Sequence, residues 1–124
     1  MREPDMFHPM MDYLKDEGYV ILKVNRGNRP GPDIVAEKSG RKLIIQMKGD
    51  SASIKTDWDT GLGQLLDIMD DDKSDYALVV SESYERLARM LPKYVKDKLK
   101  IIIYIVRDNG RISRESQCAR AKHI

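Results

Sequence analysis

Hydrophobic and polar positions along this chain change their period several times, and each change predicts a new element. Apolar residues at helical spacing predict helices, and short apolar or alternating runs bounded by turn residues predict strands. In chain order they predict a helix, three strands, a helix, a strand, a helix and a strand. The expected ranges are 9–17, 19–24, 32–37, 42–48, 57–71, 75–80, 82–98 and 101–106.

The connections between these elements predict how the strands pair. Short turns join the first three strands, which are therefore expected to be antiparallel. Helices separate the later strands, and such crossover connections favour parallel pairing. The expected fold is therefore α/β, with a central mixed sheet flanked by helices.

Two prolines limit the predicted helices. Proline lacks the N–H that a helix interior needs, so Pro9 is expected in the first turn of its helix. Residues 1–7 are then not expected to belong to the same regular helix. Pro92 predicts a kink or a break within the helix over 82–98.

The hairpin formed by the second and third strands carries the most informative polar residues. A turn signal, Lys-Ser-Gly-Arg, occupies positions 38–41, and a turn centred on its serine and glycine pairs residues whose numbers sum to 79. Asp33 is then expected opposite Gln46, with about 5 Å between their Cβ atoms. Lys48 projects from the same face. A carboxylate, an amide and an ammonium group therefore converge, while the other face supplies core residues: Ile34, Ala36, Leu43, Ile45 and Met47.

Composition indicates a soluble globular protein with one domain. The 124 residues are 34% charged and 41% hydrophobic. The longest apolar run, 101–106, is too short to cross a bilayer, and the first residues lack the apolar stretch of a signal peptide. A single cysteine, Cys118, cannot form an internal disulfide. We therefore expect a cytoplasmic protein without a membrane partner.

The charge distribution is more informative than the net charge of +2. Residues 61–80 hold five Asp and one Lys, a balance of −4, whereas residues 81–124 have a balance of +6. The basic C-terminal third could form part of a phosphate-binding surface. A solvated helix face followed by a basic tail explains the same charge equally well.

The order of elements and two short motifs resemble the PD-(D/E)XK nuclease superfamily. Pro32-Asp33 opens one predicted strand, and Gln46-x-Lys48 closes the next. Gln46 in place of the usual acid is most similar to the Mrr-type branch and to archaeal Holliday-junction-resolvase-like nucleases. The Gly-Leu-Gly-Gln-Leu segment around Gln64 resembles the glutamine-bearing second core helix of several of these families.

The resemblance implies a single nuclease-like domain with three parts. A restriction-endonuclease-like αβββαβ core is expected over about residues 9–80. An extra C-terminal helix and strand follow over 81–112, and a basic tail over 113–124.

The resemblance also implies an acid on the first helix. Counted back from the predicted end of that helix, this position falls near Phe7, beside His8. His8 is a candidate for positioning a water, with a helix cap or a surface residue as the alternatives. Three other acids are nearby, but none fits this spacing: Glu3, Asp5 and Asp12.

The implied site binds Mg²⁺ or Mn²⁺ through oxygen ligands, which these hard cations prefer. Asp33 is the expected anionic ligand, joined by the side-chain oxygen of Gln46 and, from the family pattern, the backbone carbonyl of Met47. Lys48 is expected beside the scissile phosphate, where it orients water and counters developing charge. Gln64 would contact the substrate backbone or brace Lys48.

The implied activity is metal-dependent endonucleolytic cleavage of DNA, reading structure or shape rather than base sequence. RNA remains open as a substrate, and a homodimer is plausible because two cuts need two sites. The loop cations Arg26, Arg29 and Lys55 are candidate phosphate contacts, although solvated cations explain them too. The alternative is a catalytically inactive nuclease-fold module that binds nucleic acid, or a partner subunit. The neutral Gln46 and the absent acid at position 7 favour it.

Overall fold

A computed structural model of the chain describes residues 1–27 and 29–115, which form one six-stranded sheet with helices on both faces. The helices are α1 (Glu3–Asp16), α2 (Ile54–Asp67), α3 (Glu85–Met90) and α4 (Lys93–Leu99). The strands are β1 (Val20–Val24), β2 (Ile34–Lys38), β3 (Arg41–Lys48), β4 (Asp75–Ser81), β5 (Ile101–Val106) and β6 (Ile112–Arg114).

The strands are arranged in chain order across the sheet. β1, β2 and β3 pair antiparallel, β3, β4 and β5 pair parallel, and β6 returns antiparallel to β5. This confirms the predicted mixed α/β fold and its αβββαβ core. The C-terminal extension has two helices rather than one, because Leu91 is extended and Pro92 is the N-cap of α4. It also ends in the additional short strand β6.

Helices cover both faces of the sheet, and the inner strands are buried while the edge strand β1 stays largely exposed. One face packs against α1 and contains the residues predicted to point into the core: Ile34, Ala36, Leu43, Ile45 and Met47. The opposite face packs mainly against α2 and α3, with Trp58, Leu65 and Ala88 contributed by those helices. Burial on both faces explains why β4 and β5 read as nearly continuous apolar runs.

The first helix begins six residues earlier than predicted, and Pro9 lies inside it. Loss of the Pro9 N–H removes one backbone hydrogen bond, but Met6 and Phe7 are fully buried in the core one turn before it. Two prolines are thus accommodated, since Pro4 occupies the first turn, where no N–H is needed. The expectation that residues 1–7 lie outside the helix was wrong.

Two further expectations change with the structure. α2 spans residues 54–67 rather than 57–71, so the connection after β3 is shorter than expected. Of the predicted basic tail, residues 113–115 are described, with Ser113 and Arg114 in β6, and Cys118 lies outside the described residues. Across the described part of the chain, no helix is both long and apolar enough to span a membrane.

Candidate active site

The β2–β3 hairpin has the predicted register, and Asp33 stands just before its regular part. Ile34 pairs with Ile45, which gives the expected sum. The Asp33 N–H donates to the carbonyl of Ile45 at 2.8 Å, so Asp33 lies beside the ladder rather than in a regular pair with Gln46. Its Oδ2 accepts a hydrogen bond of 2.7 Å from the Met47 N–H. The Asp33 carboxylate is therefore hydrogen-bonded to the end of β3 that carries Gln46 and Lys48.

A cavity of about 460 Å³ opens at this end of the hairpin. Asp33, Gln46, Lys48 and Gln64 all line it, as does Arg29 from the loop after β1. Asp33 is 5% and Gln46 is 9% exposed, so both side chains are largely withdrawn from bulk water but border this space. The three side chains that the hairpin register predicts to converge, Asp33, Gln46 and Lys48, therefore line the same cavity.

Glu3 also lines the cavity and is the site residue that sequence reasoning missed. It occupies the first turn of α1, one helical turn before Phe7, which itself is buried in the core. Residues four apart share one side of a helix, so Glu3 lies one turn before the position expected near residue 7 and on the same side of α1. The signal in the sequence is the Glu-Pro pair at residues 3 and 4, since proline is favoured at the start of a helix.

The connection after β3 holds Glu3 in place through backbone contacts. Gly49 follows Lys48 directly and lies against the backbone of Glu3. The Tyr84 hydroxyl donates to the Gly49 carbonyl at 2.8 Å, and the Asp50 N–H donates to the Met1 carbonyl at 2.9 Å. The Gly49 contact with Glu3 and the Asp50 hydrogen bond to Met1 therefore join the start of α1 to the segment that follows β3.

Helix α2 orients the two remaining polar side chains of the cavity. The Gln46 Nε2 donates to the Gln64 Oε1 at 3.3 Å, so Oε1 is the atom through which Gln46 could ligate a cation. The stem of Lys48 lies across Gly61, where a Cβ would come 2.9 Å from the Lys48 Cγ. Gln64 therefore braces Gln46, and Gly61 leaves room for Lys48.

The electrostatics of the cavity favour a bound cation. Burial raises the pKa of Asp33, and the Met47 N–H and the Lys48 charge lower it in part. Burial likewise raises the pKa of Glu3, the nearby Asp33 raises it further, and Lys48 opposes both effects. Each carboxylate thus lacks part of the stabilisation that water would give, and a positive charge between them would supply it.

The donor set fits Mg²⁺ or Mn²⁺. Glu3 and Asp33 offer carboxylates to the cavity, and Gln46 offers an amide oxygen. A third carboxylate of the lining, Asp67, does not form a three-acid cluster with Glu3 and Asp33. The Met47 carbonyl faces the same side of β3 as the Met47 N–H, which is the side of Asp33. Among the described residues, no three His, Cys, Asp or Glu side chains form a metal cluster, so amide and backbone oxygens would have to complete the coordination.

Three other predicted residues lie outside the cavity lining. His8 is exposed and faces Asp12 at 3.2 Å, because it follows the core-facing Phe7 and projects from a different side of α1. The expected contribution of His8 to the site is therefore not supported by its position. Lys55 pairs with Asp59 on α2 at 2.7 Å, and the Arg26 guanidinium stacks 4.8 Å from the centre of the Phe7 ring.

Comparison with known proteins identifies the fold but not a family. No protein-family profile and no curated protein matches this chain. An XisH family protein from Nostoc punctiforme is 19% identical, with a TM-score of 0.61 over 87% of this chain and 96% of its own. An fdxN element excision controlling factor protein from Anabaena variabilis is 20% identical, with a TM-score of 0.61 over 90% and 99%. At these identities the similarity supports the α/β architecture alone.

Proposed function

We propose that this chain is a metal-dependent endonuclease that hydrolyses phosphodiester bonds in DNA. The observation that carries the proposal is the meeting of Glu3 and Asp33, from separate elements, in one cavity with Lys48. Acidic oxygens beside a lysine at the rim of a sheet suit the binding of a divalent cation together with a phosphate.

Each residue of the cavity has a separate task in this proposal. Glu3 and Asp33 hold the cation, with the Gln46 Oε1 and the Met47 carbonyl as further ligands. A bound Mg²⁺ or Mn²⁺ supplies an acidified water and a Lewis acid for the phosphoryl oxygen. Lys48 keeps its ammonium group beside the carboxylates, where it orients the attacking water and offsets charge that develops on the phosphate.

The bracing contacts support this assignment. Asp33 is fixed by the Met47 N–H, Gln46 by Gln64, and the Lys48 stem by the space above Gly61. A catalytic site requires side chains held close to one geometry, because misplacement by about 1 Å can cost about 100-fold in rate. Asp33 and Gln46 are thus restrained by hydrogen bonds, and Lys48 by the packing of its stem.

A non-catalytic module that binds nucleic acid is the second candidate. The neutral Gln46 favours it, since two carboxylates hold a divalent cation more weakly than three. Glu3 weakens this alternative, because it brings a carboxylate of the first helix to the cavity, one turn before the position that the family resemblance implies.

Plasmid nicking in Mg²⁺ or Mn²⁺ tests the proposal, with Mn²⁺ affinity measured by calorimetry. We expect Asp33→Asn and Glu3→Gln to lose both nicking and Mn²⁺ binding, and Lys48→Met to lose nicking but retain the metal. Asp5→Asn is the matched control, because Asp5 also lies in the first turn of α1 but is exposed. Nicking by Asp33→Asn at the parental rate would show that the site is wrong. DNA binding without nicking by the parent would favour the non-catalytic module.

A further inference from the structure

The loop between β1 and β2 is organised around one buried polar side chain, Asn25. Asn25 is 8% exposed, and its Nδ2 donates to the carbonyl of Arg29 at 2.8 Å. Its Oδ1 accepts from the Gly27 N–H at 3.1 Å, and its own N–H donates to the Asp33 carbonyl at 2.8 Å. Asn25 therefore links the backbone of a proposed metal ligand to the backbone of Arg29.

Arg29 extends from this loop into the lining of the cavity that also contains Asp33 and Lys48. It is exposed, and no carboxylate among the described residues forms an ion pair with it. The other candidate cations differ in this respect, since Lys55 is held by Asp59 and Arg26 stacks on Phe7. Arg29 is thus the candidate best placed to receive an anionic group at the cavity.

We propose that Arg29 binds a backbone phosphate of the DNA strand that enters the cavity, and that Asn25 is the positioning residue that holds it there. This inference rests on the proposed function, and it names the feature of the substrate that the loop recognises. A guanidinium group binds phosphate through two parallel hydrogen bonds, which makes its orientation important. A loop whose backbone is ordered before binding avoids the entropy cost of ordering that backbone when the phosphate binds.

The alternative is that Asn25 only shapes a turn, as asparagine often does. The two roles differ in one measurable way. A positioning residue acts through Arg29, so its substitution should matter little once the guanidinium is gone. If Asn25 only shapes the turn, its substitution should weaken DNA binding by the same factor whether or not Arg29 is present.

The test is a double-mutant cycle with the full chain, measured by fluorescence anisotropy of a labelled duplex in EDTA. We expect Arg29→Ala to weaken binding about tenfold and to reduce the slope of log K against log salt by about one. Asn25→Ala should weaken binding by a smaller factor, and the double variant should bind no worse than Arg29→Ala. Lys55→Ala, which removes a cation already paired on α2, should leave the slope unchanged.

Three results would overturn the inference: an unchanged slope in Arg29→Ala, independent losses in the double variant, or no DNA binding by the parent at the lowest salt. If Asn25→Ala fails to fold, Asn25→Ser replaces it, because a hydroxyl can still accept from the Gly27 N–H but is too short to donate to Arg29. Binding in EDTA does not need hydrolysis. If Arg29→Ala weakens DNA binding but the parent protein never nicks DNA, the proposed nuclease activity is contradicted and the proposed role of Arg29 is not.

Discussion

Gly49 and Glu3 are in backbone contact, and no side chain fits between them. A Cβ on Gly49 would lie 2.1 Å from the Glu3 nitrogen and 2.6 Å from its Cα. The strand that ends in Lys48 and the helix that starts at Glu3 therefore touch directly. The position of the Glu3 carboxylate in the cavity is thus set by backbone packing as well as by its own rotamer.

Gly49→Ala should displace the start of α1 and separate Glu3 from Asp33. Overpacking of this kind costs roughly 1–3 kcal/mol of unfolding free energy. We expect that loss in urea titrations, together with Mn²⁺ binding at least about tenfold weaker in calorimetry. Gly63→Ala is the control, because nothing described lies within 4 Å of its added Cβ. Unchanged Mn²⁺ affinity in Gly49→Ala would show that the contact does not position Glu3.

Gly61 and Gly63, two positions of the same helix, offer a matched pair of substitutions. An added Cβ at Gly61 would lie 2.9 Å from the Lys48 Cγ and 3.3 Å from the Leu78 Cδ1. Replacing a helix-interior glycine by alanine gains roughly 0.5–1 kcal/mol from propensity alone. Gly63→Ala should show that gain in urea titrations, whereas Gly61→Ala should lose it and reduce nicking about tenfold as Lys48 shifts. Equal stabilisation by both with parental nicking would contradict the proposed crowding.

The hairpin half of the site was predictable from local patterns. A two-residue period and one turn signal determine the register, which places Gln46 and Lys48 on one face without knowledge of the rest of the fold. The displacement of Asp33 from the position opposite Gln46 was not predictable, since it depends on the hydrogen bond from the Asp33 N–H to the Ile45 carbonyl.

Glu3 was missed for a different reason. Its position depends on contact with Gly49, which is distant in sequence, and on a helix that continues through Pro9. Local rules disfavour proline inside a helix, but burial of Met6 and Phe7 outweighs the lost hydrogen bond. Local propensity was therefore overridden by tertiary packing.

Gln46→Glu should strengthen the metal site and weaken the metal-free protein. A carboxylate at position 46 would be a third anionic ligand beside Glu3 and Asp33, so Mn²⁺ should bind more tightly, by about tenfold or more. Without metal, the added charge lies near Glu3 and Asp33 and should lower the melting temperature in EDTA. Gln64 can turn its amide so that nitrogen faces the new carboxylate, which preserves the contact between α2 and β3. Weaker Mn²⁺ binding in Gln46→Glu would indicate that residue 46 does not ligate the cation.

The raised pKa values of Glu3 and Asp33 predict a characteristic pH dependence. Each folded-state pKa lies above its ordinary value, 4.5 for Glu3 and 3.8 for Asp33, so the folded protein retains protons that the unfolded chain has released. The unfolding free energy of the metal-free protein should therefore fall as pH rises from those ordinary values through the raised ones. Mn²⁺ affinity should rise over the same interval, because only the deprotonated carboxylates can ligate.

Urea titrations in EDTA and Mn²⁺ calorimetry across that interval check both trends. Glu3→Gln and Asp33→Asn should each flatten the pH dependence of stability and raise the unfolding free energy near neutral pH. Asp50 provides a contrasting control, since hydrogen bonds from the Met1 amino group, Ser81 and Ser83 lower its pKa to about 2. Its contribution is present above 3.8 and is lost as pH falls toward about 2. Asp50→Asn should therefore lower the unfolding free energy by a constant amount above 3.8 and change the slope of the curve only at its acid end. If stability instead rises with pH between mildly acidic and neutral conditions in the parent and in both carboxamide variants alike, Glu3 and Asp33 do not share a poorly solvated cavity.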